Sequence, residues 1–318
     1  MCGLFGTIRP RHYPQNLRTI GADALLDLGY LAEDRGVDSA GIATLHSRAL
    51  APLQCIDHAV RENTVGGWRI RTALGAFSTH LPDSRQVRSN LASARIALCH
   101  TRWATQGATT LDNASPLNAG DIIGTHNGDV TAPTRNGTTD SAWLFNQLKN
   151  TATIKATASV LTGLRGRAAL AWVRRSRPDL VFLARTALSP LATATDRAGG
   201  LWWASNPEWL RELDDWHDLE LTNPLPMIEG TLLVLCSDRD EVTCPRTADS
   251  QLPAAPVTNA SRTARPGVVS RSPIAVTNST TATTTSRAPT RTEQLPGHSG
   301  PADRQWSPSG EQLRRLAH

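Results

Sequence analysis

The chain has 318 residues, 39% hydrophobic and 19% charged, with a formal net charge of +5, enough for one large domain or two ordinary ones with a sizeable core. The stretch from Arg246 to the end holds 9 Arg against 4 Asp or Glu, so it carries the whole excess and the first 245 residues are neutral; it lacks the dense Lys/Arg runs of a nucleic-acid arm, and nucleic-acid binding is not expected. The five cysteines, Cys2, Cys55, Cys99, Cys236 and Cys244, show no CxxC pair and no neighbouring His cluster, which argues against a zinc site and a disulfide framework.

In chain order, "GLFGTI" at 3 to 8 reads as a buried first strand. Arg9, Arg11 and His12 interrupt it at once, so no signal segment is expected, and no later apolar run is long enough to span a bilayer. A reducing cytoplasm is the expected location, with no membrane association. Leu17, Ile20, Ala24, Leu25, Leu28 and Leu31 recur at helical spacing, predicting an amphipathic helix over 16 to 34. The runs "GIATL", "ARIALCH", "DIIGTH", "AALAWV", "LVFLAR", "LATATD", "LWWAS" and "GTLLVL" read as strands. Residues 140 to 164 form a second helical stretch, and "NPEWLREL" a third with Pro207 at its start. Many strands around a few helices suit a layered α+β domain over residues 1–245. Residues 246–318, rich in Thr, Ser, Pro, Ala and Arg with Trp306 as the one aromatic, cannot offset their ordering entropy and are expected to be disordered. A short helix at 311–317 is marked there by Ser309, Gln312, Leu313 and Leu316.

The opening "MCGLFG" places a cysteine directly behind the initiator methionine. Removal of Met1 would leave thiol and α-amine on one residue, and an amine of pKa near 8 is a usable base beside a thiol nucleophile. Three further stretches stand where strands meet loops: "EDRGVDSAGIAT" at 33 to 44, "CHTRWATQGATTLDNASP" at 99 to 116, and "GTHNGDV" at 124 to 130. Singly each has a plain structural explanation, His100 as a core histidine, Trp103 as a packed aromatic, "HNG" as a turn.

Taken together and in this order, they resemble the class II glutamine amidotransferases, the N-terminal-nucleophile type, and in particular the glutaminase domain of glucosamine-6-phosphate synthase. That family has Cys-Gly-Ile-x-Gly, Arg-Gly-Tyr-Asp-Ser-Ala-Gly, His-Thr-Arg-Trp-Ala-Thr-His-Gly, His-Asn-Gly and a later Thr-Asp. Here these stand at Cys2 to Gly6, Arg35 to Gly41, His100 to Gly107, His126 to Gly128, and Thr139 with Asp140. The resemblance runs from residue 2 to about 240 and implies a four-layered αββα sandwich. It also implies the roles. Cys2 attacks the glutamine carboxamide, giving a glutamyl thioester and ammonia. The Asn127 amide and the Gly128 N–H stabilise the oxyanion. Arg102 takes the α-carboxylate of L-glutamine and Asp140 its α-ammonium, while Trp103, Thr105 and Gln106 lie in a loop closing over it. Arg35 supports the surroundings of the nucleophile. No cofactor and no metal are implied.

Gln106 stands where the family has His, and "NASPL" where relatives have Asn-Ala-His-Pro-His, so loop closure is expected to differ from the family pattern. The synthase's isomerase module has no counterpart in the tail. The expected function is therefore a stand-alone glutaminase supplying ammonia to an acceptor enzyme on another chain. Two alternatives stand beside it. One is an N-terminal-nucleophile amidohydrolase for another γ-glutamyl or amide substrate. The other is a catalytically silent regulatory or scaffold protein of the same fold.

Overall fold

The computed structural model describes residues 1–46, 58–81, 85–133 and 138–237. The expected tail disorder, the 311–317 helix, the domain end at 245, Cys55 and Cys244 lie outside the described residues. In chain order come β1 (Gly3–Ile8), α1 (Gln15–Ala32), a 3-10 turn (Glu33–Arg35), β2 (Ser39–Leu45), β3 (Val60–Val65), β4 (Trp68–Leu74), α2 (Phe77–His80), α3 (Arg85–Ser93), β5 (Ile96–Arg102), β6 (Leu117–Ala119) and β7 (Ile122–Val130). They are followed by α4 (Asp140–Lys149), α5 (Ile154–Thr162), β8 (Gly166–Arg174), β9 (Arg177–Arg185), β10 (Ala192–Thr195), β11 (Leu201–Ala204), α6 (Pro207–His217), β12 (Leu225–Pro226) and β13 (Thr231–Cys236).

Two antiparallel sheets organise these elements, one ordered β12-β10-β11-β1-β5-β2-β4-β3 and the other β13-β9-β8-β7-β6. Strand alternation sends successive side chains to opposite faces, and the buried residues sort accordingly into three layers of core. Phe5, Ala97, Cys99 and Trp202 of the first sheet meet Leu25 and Leu28 of α1, Leu91 of α3 and Leu210 of α6. Leu4, Ile8, Leu98 and Trp203 meet Ile123, Ala171 and Leu183 of the second sheet. Leu170, Trp172 and Phe182, on that sheet's far face, meet Leu144, Phe145 and Leu148 of α4 and Leu161 of α5. Helix, sheet, sheet and helix are thus stacked in the four-layered αββα sandwich expected from the motifs.

Local chemistry explains where the sequence pattern and the structure part. The helical stretch expected over 140 to 164 is two helices. Thr151 folds its hydroxyl onto the Leu148 carbonyl (2.7 Å), and Thr153, in an extended conformation, caps a new helix by accepting from Ala156 N. The β3–β4 hairpin went unread because Val60–Val65 mixes charge with apolar residues; its signal is the pair Gly66 and Gly67, both at positive φ, as a two-residue hairpin turn requires. α3 buries only Val87, Asn90 and Leu91, too thin a stripe to stand out. The first helix gives way at Glu33 to the 3-10 turn, within two residues of the expected end.

Candidate active site

β1 lies in the middle of the first sheet, between β5 and β11. The register Gly3↔Thr101 and Leu4↔His100 carries Cys2 to the end of the sheet, directly across from Arg102, the last residue of β5. Ser39 of β2 flanks Arg102 on its other side. Residues from opposite ends of the first hundred positions are therefore brought side by side by two ladders. The Cys2 thiol points at the Trp103 carbonyl (3.6 Å). Burial pushes that thiol above the usual thiol range, against the pull of the chain N-terminus and of Arg102. With Met1 attached, the Cys2 nitrogen is a peptide amide and no base.

Arg102 is buried and caps a loop. Its guanidinium donates to the carbonyls of Gln106 (2.6 Å), Ala108 (3.2 Å) and Gly107 (3.4 Å), so the residues after β5 curl back over the strand that bears them. Asp38 fixes the loop's first turn by accepting from Ala104 N (2.7 Å). Gly36 lets the chain pass there, because a Cβ on it would stand 2.3 Å from the Arg102 carbonyl carbon and 2.4 Å from Trp103 N. The Trp103 side chain is 55% exposed, and Thr105 is exposed too.

The second sheet supplies the opposite wall through β7 and α4. Gly128 has φ 149°, and a Cβ there would stand 2.0 Å from the Arg167 carbonyl of β8, so only glycine fits. Asn127 points to the space between the sheets. Its Nδ2 donates to Ser205 Oγ (3.3 Å), and the same hydroxyl accepts from Leu4 N (2.9 Å), which ties the amide to the strand that follows Cys2. A carboxamide has two N–H donors, so one remains. Asp140 opens α4, behind the Thr139 cap. Its two oxygens accept from Val130 N (3.0 Å) and Ser141 N (2.9 Å), and the helix N-terminus favours its negative charge.

A small cleft lies among these elements, lined by Cys2, Arg102, Trp103, Thr105, Gln106, Gly128 and Asp140 together with His100, Asn113, Ser115, His126, Thr139 and Ser141. Arg35 is not among its walls and stands beside it, with Nη2 3.3 Å from Met1 Sδ. Asn127 also stays behind the wall. Sequence reasoning missed two carboxylates of the site. Asp38 lies inside the quoted "RGVDSAG", and Asp129 follows "HNG"; Asp129 accepts from Thr105 Oγ1 (2.7 Å) and from Arg167 Nε (2.9 Å), and its pKa is lowered by these partners. A charged residue directly after a motif was the available signal. Among the described residues no group of three His, Cys, Asp or Glu could hold a metal ion, and no helix is long and apolar enough to cross a membrane.

No family model matches the chain. Among curated proteins, the glutamine–fructose-6-phosphate aminotransferase of Zymomonas mobilis is 30% identical over 208 residues, 60% of this chain and 29% of that protein. The same enzyme from Gluconobacter oxydans is 34% identical over 137 residues, 41% of this chain and 17% of that protein. The chain thus spans under a third of the length of these relatives. Among solved structures, an allosteric regulatory enzyme of purine biosynthesis superposes with a TM-score of 0.52 at 16% identity, over 76% of this chain and 49% of that one. Glutamine phosphoribosylpyrophosphate amidotransferase from B. subtilis gives 0.50 at 16% identity, over 77% and 49%; likeness at that identity speaks for the fold. The chain is thus related in sequence to glutamine amidotransferases and shares the fold of solved amidotransferase structures.

Proposed function

We propose that the protein is a glutaminase acting through Cys2 and supplying ammonia to an acceptor enzyme on a separate chain. The observation that carries this reading is the single cleft in which Cys2, Arg102, Gly128 and Asp140, drawn from four separate motifs, line one space. After Met1 is removed, the Cys2 α-amine takes the thiol proton and the thiolate attacks the carboxamide carbon of glutamine. The developing oxyanion is met by the Gly128 N–H in the cleft wall and by the Asn127 amide once it turns from Ser205 toward the cleft, and a preorganised donor of this kind is worth on the order of a hundredfold in rate. The C–N bond then breaks, and the nitrogen takes the proton back from the α-ammonium and leaves as ammonia. Water cleaves the thioester to glutamate and restores the thiol.

Arg102 offers a planar fork for the α-carboxylate and Asp140 a charge for the α-ammonium. The loop carbonyls that hold Arg102 are single acceptors on an exposed segment, and a carboxylate is the stronger partner for the same donors. Trp103, Thr105 and Gln106 then lie over bound glutamine and limit entry of water. The relatives' names describe nitrogen transfer to fructose 6-phosphate, and the matching segment is under a third of their length; the separate acceptor belongs to the proposal, and the co-purification test below addresses it.

Cys2→Ala should abolish release of ammonia from glutamine while leaving the thermal unfolding midpoint within a few degrees of the parent. Turnover unchanged in that variant would refute the mechanism. Intact mass of the purified parent should lack Met1, and an acceptor enzyme that co-purifies should raise the glutaminase rate.

A further inference from the structure

His100 has no part in the mechanism above, yet it is among the residues that line the cleft. It is buried, 1% exposed, and Nε2 lies 3.0 Å from the His126 carbonyl. A carbonyl oxygen can only accept, so Nε2 carries the proton. Burial holds the ring's pKa down at about 3, so it is neutral near pH 7 and Nδ1 bears a lone pair and no proton. That Nδ1 is buried and has no protein partner. A fully enclosed acceptor without a donor is an uncommon thing to keep in a core, and beside a cleft it points to a donor that arrives with the substrate.

The register says which donor. Side chains directly opposite on paired strands share a face, so Cys2, Leu4, His100 and Arg102 all face the second sheet. Cys2 and His100 are diagonal neighbours, about 7–8 Å apart at Cα, which puts the ring beside the thiol on the side away from Arg102. Glutamine lying with its carboxylate toward Arg102 and its side-chain carbonyl carbon at Cys2 brings its carboxamide nitrogen toward that ring. Its α-ammonium has Asp140, a far stronger partner.

We infer that His100 Nδ1 accepts a hydrogen bond from the carboxamide N–H of glutamine and so separates the amide substrate from its acid product. The inference rests on the glutaminase reading and adds a specificity residue to it. Glutamate presents only lone pairs at the same place, so lone pair would face lone pair and the product would be turned away. A site built around a required donor discriminates strongly against an analogue that lacks it.

Two variants of the full-length protein divide this role from a merely structural one. An asparagine side chain places its oxygen near the position of Nδ1, whereas a glutamine side chain reaches the position of Nε2. His100→Asn should keep the preference for glutamine over glutamate. His100→Gln keeps the donor to the His126 carbonyl and should lose about tenfold or more in kcat/KM for glutamine, with the ratio of glutamate Ki to glutamine KM falling by a similar factor. The reverse ranking, with His100→Gln normal and His100→Asn impaired, would show that the ring only ties β5 to β7. A binding readout covers variants that misfold: in Cys2→Ala protein labelled with 15N-histidine, saturating glutamine should move the His100 Nδ1 resonance and glutamate should not. Equal shifts, or none with glutamine, overturn the inference. A parent chain that turns over no glutamine counts against the function itself, while a parent that turns it over beside an equally active and equally selective His100→Gln counts against the inference alone.

Discussion

Two arginines are buried at opposite ends of the same pair of strands, and each caps three backbone carbonyls. Arg9 follows β1 and is wholly enclosed. It donates to the carbonyls of Leu91 (2.9 Å), Ala94 (3.1 Å) and Ala92 (3.4 Å), where α3 ends. Its guanidinium also lies 5.5 Å from the centre of the Tyr13 ring, and Asp196, which accepts from Tyr13 and from Trp202 Nε1, closes the cluster. Arg102 ends β5 and caps the 106–108 carbonyls on the rim of the cleft. Burial lowers both pKa values, that of Arg9 to about 10. The chemistry is the same and the partners differ. The carbonyls under Arg9 belong to a helix end packed into the core, while those under Arg102 belong to a loop with exposed residues at its surface. One arrangement is enclosed in the core, and the other, on the glutaminase reading, is open to exchange for the substrate's carboxylate.

The largest expected effect belongs to the closed end. Arg9→Ala removes the cap of three carbonyls and leaves a cavity, so it should cost about 3–5 kcal/mol in urea unfolding. The glutamine KM of the folded fraction should stay at the parent value. A midpoint close to the parent's would break the claim that Arg9 is fixed architecture.

The second effect is on acid stability, and it sharpens the contrast at the same end. His46 sits between Thr44 Oγ1 (2.9 Å) and Ser93 Oγ (3.2 Å), and burial, aided by Arg69, lowers its pKa to about 4. Below its unfolded pKa near 6.5 the unfolded chain binds the proton and the folded chain does not. Its contribution is therefore fully present above pH 6.5 and is lost as pH falls toward 4, on the order of 1–3 kcal/mol. His100 adds the same sign of dependence down to about pH 3. Unfolding free energy measured from pH 7 to 4 should fall more steeply in the parent than in His46→Gln; equal slopes would remove His46 as the cause.

At the open end the effect is on binding. Arg102→Lys keeps the charge but loses the fork, so KM for glutamine should rise about tenfold, with a smaller loss of stability than Arg9→Ala. A larger loss of stability with an unchanged KM would make the two arginines alike. The smallest expected effect is at the loop's fastening. Thr105→Val removes one partly exposed hydrogen bond to Asp129 and should raise KM by roughly twofold to tenfold, while Thr105→Ser restores it.

The same contrast marks what could be read from the sequence. Strands such as Ile96–Arg102 and Gly166–Arg174 were legible because burial on both faces makes them continuous apolar runs. The motifs brought Cys2, Arg102, Gly128 and Asp140 to one cleft. Arg9 was legible only as an interruption of an apolar run, because a buried guanidinium that pairs with carbonyls leaves no partner pattern in the side-chain sequence. The hold of Arg102 on the loop was hidden for the same reason. Asp38 and Asp129 lay within or beside quoted motifs, but their roles depend on which backbone N–H and which hydroxyl the fold brings to them. The α4–α5 break was obscured because threonines inside an apolar-periodic stretch read equally as helix interior and as caps.

The central place of β1 has a consequence for synthesis. One neighbour of this strand is β11, at Leu201–Ala204, so the first residues of the chain wait for nearly two hundred later ones before the sheet can close around them. At typical elongation rates of about 5–20 residues per second, that wait lasts roughly 10–40 s. During it the chain end projects from the ribosome unpaired on that side, open to the aminopeptidase that would expose the Cys2 amine. The topology thus leaves Cys2 accessible for a time before the sheet encloses it, as the proposed mechanism requires.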